Sequence, residues 1–209
     1  MAKDIPIRCS CGKLRAVAVG IDASKGNHLV CYCDDCQSFQ HFLGTAERVL
    51  DEHGGTEIFQ MSQGRLRITE GSEHLACVRL RENGLLRWYA SCCNTPIGNT
   101  LAARGVPFIG VVCDCFDRDR GGESLDDALG PVRMGVNGRF AKGKPDGLTV
   151  HDRAPLSMFV SFIGKMLAWR LHGDHKRSPL FEPESGRIRV EPTVLSESRL
   201  KQVEERRDS

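Results

Sequence analysis

Apolar positions recur at two different spacings along this chain, and the change between them divides it. Leu14, Ala16 and Ala18 alternate against Lys13, Arg15 and Val17, which predicts a strand over Lys13 to Val19. Gln37 to Leu43 fits a short helix with Phe39, Phe42 and Leu43 on one face; Thr45 to Leu50 fits a second, stopped near Gly54 and Gly55. Short strand-like runs follow at Glu57 to Met61, Arg65 to Thr69, His74 to Leu80 and Leu85 to Ala90. The last two, joined by a turn ending Asn83-Gly84, form a hairpin. Phe108 to Val112 is a final buried strand, so residues 1–118 read as a mainly antiparallel β unit.

Past Asp117 the texture changes. Asp117 to Glu123 is a polar linker, and Gly135 to Gly147, rich in Gly and Lys, reads as loop. Ser157 to Leu171 is a strong helix whose wide apolar face carries Met158, Phe159, Phe162, Ile163, Met166, Leu167 and Trp169. With Lys165 and Arg170 in it, this helix is too short and too charged to span a bilayer. Its apolar face is expected to pack on the β unit or to seal a homodimer. The charged residues from Ser196 read as a frayed helix or tail. Residues 119–209 are thus expected to form a C-terminal extension.

The chain has 209 residues, and a chain of this size buries roughly 70% of its unfolded surface without staples. Its 10 cysteines are therefore unexplained by stability. Met1 to Pro6 hold no apolar run, so no signal peptide is expected. No apolar stretch approaches the ~18 residues that span a membrane. A cytoplasmic, reducing setting follows, where clustered cysteines read as metal or redox sites rather than disulfides. The formal net charge of +2, with both signs mixed along the chain, argues against nucleic acid or an anionic membrane as a partner.

The segment Cys31-Tyr32-Cys33-Asp34-Asp35-Cys36 gathers three thiols. Zinc sits ~2.3 Å from each sulfur in a tetrahedral shell. A C-x-C pair in extended chain points both side chains to one face with Cα atoms ~6.6 Å apart, near enough to lean together. Cys36 follows after one tight turn. One segment can therefore supply three ligands, and the nature of the fourth decides between a structural and a catalytic site. Free core thiols fit poorly, because the three cannot share one strand face. Cys9-Ser10-Cys11-Gly12 is half of a tetrathiolate set, with Gly12 suited to a knuckle around a metal. Cys92-Cys93 is the obvious other half, although adjacent side chains diverge in extended chain, which favours one ligating and the other facing the core. Cys113-Asp114-Cys115 reads as one core and one surface thiol, or a spare ligand pair, and Cys77 as a small core residue.

Together these elements resemble one family, that of the glutathione-dependent formaldehyde-activating enzyme and centromere protein V. The resemblance rests on Cys9-Ser10-Cys11-Gly12, the strand Leu14 to Val19, Cys31-Tyr32-Cys33-Asp34-Asp35-Cys36, and Arg87-Trp88-Tyr89-Ala90-Ser91-Cys92-Cys93-Asn94-Thr95-Pro96-Ile97. It covers about the first half of the chain. It implies a mainly β fold, a β-tent of antiparallel sheets. It also implies a structural zinc held by Cys9, Cys11 and Cys93 and a catalytic zinc held by Cys31, Cys33 and Cys36. The chain departs from the family pattern where one expected ligand is Ala90 and an expected Gly is Asn94, so either Cys92 substitutes or the structural site is incomplete.

Three thiolates leave a zinc centre with about one net negative charge, a weak activator of water but receptive to a thiol substrate bound as thiolate. That suits making or breaking a carbon–sulfur bond. The expected function is a zinc-dependent, carbon–sulfur lyase-like activity on a small thiol or thiol adduct. Asp34, Asp35 or His41 could carry protons nearby, although each is also explained as a helix N-terminal acid or a solvated side chain. A non-catalytic zinc-stabilised binding module is the competing class. A thiol redox sensor using Cys92-Cys93 or Cys113 and Cys115 is a third.

Overall fold

The computed structural model describes residues 2–117 and 124–208. The expected linker over Asp117 to Glu123, and with it the boundary at residue 118, lies almost wholly outside the described residues. In chain order the strands are β1 (Lys3–Arg8), β2 (Arg15–Ile21), β3 (Asn27–Cys31), β4 (Thr56–Ser62), β5 (Leu66–Glu70), β6 (Leu75–Arg79), β7 (Leu86–Ala90), β8 (Thr95–Thr100), β9 (Phe108–Val112), β10 (Gly135–Val136), β11 (Val150–His151) and β12 (Thr193–Val194). The α-helices are α1 (Asp34–Leu43), α2 (Ala46–Val49), α3 (Leu125–Leu129), α4 (Leu156–Leu171) and α5 (Glu197–Asp208).

The strands form two sheets. A three-stranded antiparallel sheet runs β1-β2-β5, and a nine-stranded sheet runs β11-β10-β3-β4-β9-β8-β7-β6-β12. The larger sheet is antiparallel through its middle. The short strands β10 and β11 extend one edge in parallel, and β12 extends the other. The main core lies where the two sheets face each other. Ile5, Ile7, Ala16 and Ala18 from the small sheet join Phe59, Met61, Trp88, Ile109 and Val111 from the large one. The buried Trp88 ring needs a partner for its N–H, and Nε1 donates to Thr100 Oγ1 at 3.0 Å.

Register on the central strands β3, β4 and β9 decides what each face carries. His28 pairs with Phe59 and Val30 with Glu57, while Phe59 pairs with Val111. Paired residues share a face, so His28, Glu57, Phe59 and Val111 lie on the side of the main core. Leu29, Cys31 and Ile58 lie on the other side, where they pack with Cys36 and Val136.

Helix α1 starts at Asp34, earlier than its apolar positions indicate, because its start is set by capping. Cys33 is the N-cap, with its sulfur accepting from the Cys36 amide, and Asp34 and Asp35 occupy the first turn. Gly44 ends it in the left-handed region at φ 71°, its N–H reaching the carbonyls of Gln40 and His41. The charged C-terminal residues are a packed helix rather than a frayed tail. In α5, Val203 is buried and Arg207 donates to Ser38 of α1 at 3.3 Å. Helix α4 uses one side only. Phe162 packs edge-on against Phe108 at 5.1 Å, and Lys165 donates to the Gly26 carbonyl at 2.6 Å. Leu156, Phe159, Val160, Ile163, Leu167 and Leu171 stay exposed. Among the described residues no helix is long and apolar enough to cross a membrane.

The expected mainly β fold, a β-tent, is overturned. Among the described residues, helix and strand occur in about equal shares, the large sheet has parallel edges, and no barrel closes. The strand alternation of the first half dominated the reading. The helical content comes largely from α4, α5 and α1, and the parallel edge strands are two residues long, too short to show any period.

Candidate metal centre

Two sulfur clusters and one mixed cluster bring donor atoms within 4.8 Å of one another, close enough to chelate a metal. Cys9, Cys11, Cys92 and Cys93 make the first, Cys31, Cys33 and Cys36 the second, and His28, Glu57 and Cys113 the third.

In the first cluster the β1–β2 turn meets the β7–β8 turn. Backbone bonds from Cys9 to the Leu14 carbonyl and from Gly12 to the Cys9 carbonyl shape the knuckle, with Gly12 at φ 76°. The Leu14 amide also donates to Cys9 Sγ at 3.2 Å. On the other turn, Asn94 takes φ 55°, a conformation asparagine tolerates, and the tight bend lets both adjacent cysteines turn inward. The sulfur separations are 3.6 Å for Cys9–Cys11, 3.7 Å for Cys9–Cys92, 3.3 Å for Cys11–Cys92 and 3.8 Å for Cys92–Cys93. A tetrahedral zinc–sulfur shell has edges of ~3.8 Å, so this donor set fits such an ion. Ala90, at the place of an expected ligand, is a fully buried core residue, and Cys92 and Cys93 both stand in the cluster. For Cys93, burial works against the thiolate but is outweighed by hydrogen bonds from the Ser10 and Thr95 side chains and nearby amides, lowering its pKa to about 5.

The second cluster sits where β3 runs into α1. Cys31 ends the strand, Cys33 caps the helix and Cys36 lies in its first turn. A helix N-terminus favours negative charge, so this is a fitting place for thiolates. Cys36 is held well below the ordinary thiol range by hydrogen bonds from Cys31 and Cys33, with help from the Arg87 guanidinium. Cys31 shares its proton with these neighbours and is pushed up to about 12. Arg87 is almost wholly buried, with Nη1 3.9 Å from Cys36 Sγ and Nη2 3.4 Å from Asp35 Oδ2. Asn137, at φ 61°, donates from Nδ2 to Cys31 Sγ at 3.4 Å. Among the described residues no fourth Cys, His, Asp or Glu joins this cluster.

Of the expected proton carriers, Asp35 is tied to Arg81 and Arg87. Asp34 borders a cleft with Lys142 and Arg207. His41 lies in the last turn of α1, about 7.5 Å along the axis from Cys36. Cys113 and Cys115 are both buried, so neither is a surface thiol, and Cys77 is a core residue. Sequence reasoning quoted Arg87 only within a motif and gave it no role at the cluster, and it missed Asn137, His28 and Glu57. The only signal for His28 was its place beside the apolar Leu29 and Val30, a run too short to read as a strand.

A solved structure of a Rhodobacter sphaeroides protein, from Northeast Structural Genomics, is similar at 16% identity and a TM-score of 0.38, over 61% of this chain and 97% of that chain. No curated protein matches the chain. Residues 1–191 match a family of unknown function, DUF6151. That match overturns the expected place in the formaldehyde-activating enzyme and centromere protein V family. The departures at Ala90 and Asn94 mark a turn of different construction, and the match runs far beyond the half of the chain that carried the resemblance. The chain belongs to the DUF6151 family of unknown function.

Proposed function

We propose that this chain holds two zinc ions through its thiolates and acts on a small thiol or thiol adduct, in carbon–sulfur lyase-like chemistry. Cys9, Cys11, Cys92 and Cys93 would hold the structural ion, and Cys31, Cys33 and Cys36 the functional one. The observation that carries this reading is the difference in donor number. One cluster offers four sulfurs and the other three, within the same radius. A three-thiolate zinc supplies an electrophilic centre with room for an added thiolate.

The chain's own residues support that chemistry in two ways. The α1 N-terminus and the Arg87 guanidinium offset the negative charge that three thiolates bring. Asp34, in the first turn of α1 beside Cys33 and at a cleft with Lys142 and Arg207, would be the candidate to exchange protons with an arriving thiol. The exposed apolar side of α4 supports the homodimer as a further part of this reading.

The second reading is a zinc-stabilised module without catalysis. It is favoured by the burial of Cys31 and Cys36 under Asn137 and Arg87. Cobalt-substituted protein separates the two when a small monothiol is added. A change in the thiolate–cobalt absorption that vanishes in Cys33→Ser supports the open site. An unchanged spectrum supports the module. Protein that takes up no metal and forms a reversible disulfide supports a redox sensor instead.

A further inference from the structure

We infer that His28, Glu57 and Cys113 form a third metal site, separate from both thiolate sets, for a first-row divalent cation of borderline softness such as zinc. A mixed nitrogen, oxygen and sulfur donor set suits that class. His28 and Glu57 come from the adjacent strands β3 and β4, and Cys113 opens the 3-10 turn just past β9. Glu57 lies diagonally across from His28, and Cys113 follows the Ile58–Val112 pair by one step at the end of β9. Register puts all three on the face opposite Cys31.

The histidine is oriented as a ligand. Its Nδ1 lies 2.6 Å from the Gly130 carbonyl, which can only accept, so Nδ1 carries the proton and donates. Gly130 is the residue that ends α3, whose start is fixed by a reciprocal Ser124–Asp127 capping box. In the neutral ring the lone pair is then on Nε2, toward Glu57 and Cys113. Glu57 Oε1 lies 2.7 Å from Nε2, and Cys113 Sγ lies 3.7 Å from it. Ion–ligand distances of ~2.05 Å to nitrogen and ~2.3 Å to sulfur give a tetrahedral N–S edge of ~3.6 Å, so Cys113 already stands at ligand spacing. An N–O edge is ~3.4 Å on the same basis. Glu57 must therefore draw back by a fraction of an ångström, which its 38%-exposed side chain allows.

Two other roles use the same residues. In a nucleophilic Cys–His–Glu triad the thiol and the carboxylate engage opposite ring nitrogens. Here both face Nε2 and a carbonyl holds Nδ1, so that arrangement is excluded. In a simple buried ion pair, His28 is an imidazolium bound to Glu57 and Cys113 is a bystander.

Cadmium-loaded full-length protein, followed by cadmium NMR and metal analysis, decides between the site and the ion pair. The site predicts one bound ion more than the two thiolate sets account for. Its resonance is shifted away from the sulfur-rich signals toward nitrogen and oxygen ligation. Cys113→Ser and His28→Gln should remove that resonance and leave the sulfur-rich ones. Glu57→Gln, at a half-exposed side chain that folding tolerates, should weaken this ion by at least the about 10-fold that loss of an outer-shell partner costs. Absence of the extra ion in the wild-type chain, or its survival in Glu57→Gln and Cys113→Ser with unchanged affinity, overturns the proposal. Loss of the sulfur-rich signals alone would count against the thiolate reading and leave this site standing.

Discussion

Arg87→Met tests the charge balance at the three-thiol cluster. Arg87 is 2% exposed, with Nη1 3.9 Å from Cys36 Sγ, Nη2 3.4 Å from Asp35 Oδ2, and its guanidinium 5.5 Å from the Phe39 ring centroid. Two unit charges at that sulfur distance attract by about 4 kcal/mol at an effective dielectric constant of about 20. A three-thiolate zinc would spread its single excess charge over three sulfurs, which brings the figure to roughly 2–3 kcal/mol. Methionine keeps an apolar stem against Phe39, and Asp35 keeps Arg81, so the charge is the main loss. Zinc affinity at Cys31, Cys33 and Cys36 should fall by about 30- to 150-fold. Competition with a chromophoric chelator reads this directly, with the tetrathiolate set as internal control. A variant less stable to denaturant whose zinc affinity at this cluster stays within about threefold of wild type (about 0.7 kcal/mol) refutes the reasoning. Arg87 would then only hold Asp35 and Phe39 in place.

Further outcomes follow from the same geometry. Cys11→Ser, at an exposed donor, should cost one zinc and lower the melting temperature clearly, whereas Cys33→Ser should cost one zinc with a much smaller shift; metal analysis with calorimetry checks both. Gly98→Ala places a Cβ 2.5 Å from the Gly110 carbonyl oxygen, so β8 and β9 must part, and denaturant titration should show a loss of about 3 kcal/mol or more. Burial pushes the Cys77 thiol up to about 12, so its contribution is fully present below the unfolded value of 9.0 and is lost as pH rises from there to about 12. Cys77→Ala should therefore flatten the alkaline fall in stability between these pH values, and an unchanged slope would count against it. Ile163→Glu combined with Leu167→Glu, both at exposed positions, should change monomer stability by less than about 1 kcal/mol while abolishing self-association in sedimentation velocity. A wild-type chain that sediments as a monomer sinks the dimer.

The strands whose apolar residues alternate were legible in the sequence. Phe108–Val112 appears as read, and β4 to β7 are displaced by a residue or so from the expected runs. Strand β3 was not, because its apolar run after Asn27 and His28 is only three residues long, and His28 is buried by virtue of partners that lie far away in sequence. Cysteine spacing located both sulfur clusters, since metal ligation demands short local spacing. It could not say that Cys92 and Cys93 both turn inward. That depends on Asn94 adopting a left-handed conformation, a property of the folded turn. Arg87 entered only as the first residue of the motif Arg87 to Ile97, and only the packing of β7 against α1 makes it a buried counter-charge.

The two sulfur clusters also differ in what they could do for the fold. Cys9 and Cys92 are 83 residues apart, and an ion across them would tie the turn of the small sheet to a turn of the large one. Closing a loop of that length restricts the unfolded chain by about 4 kcal/mol in its length-dependent part, as (3/2)RT ln n. Cys31 and Cys36 lie 5 residues apart in one segment, and the same expression gives only about 1.4 kcal/mol. A metal bound at the first cluster would therefore stabilise the native chain strongly by topology alone. At the second cluster it constrains a strand end and helix start that backbone hydrogen bonds and the Cys33 cap already order. At the second cluster, three thiols and a buried arginine held at a helix N-terminus, a bound metal would therefore add little to stability. That contrast is independent of any family resemblance, and it predicts different consequences when each cluster loses its ion.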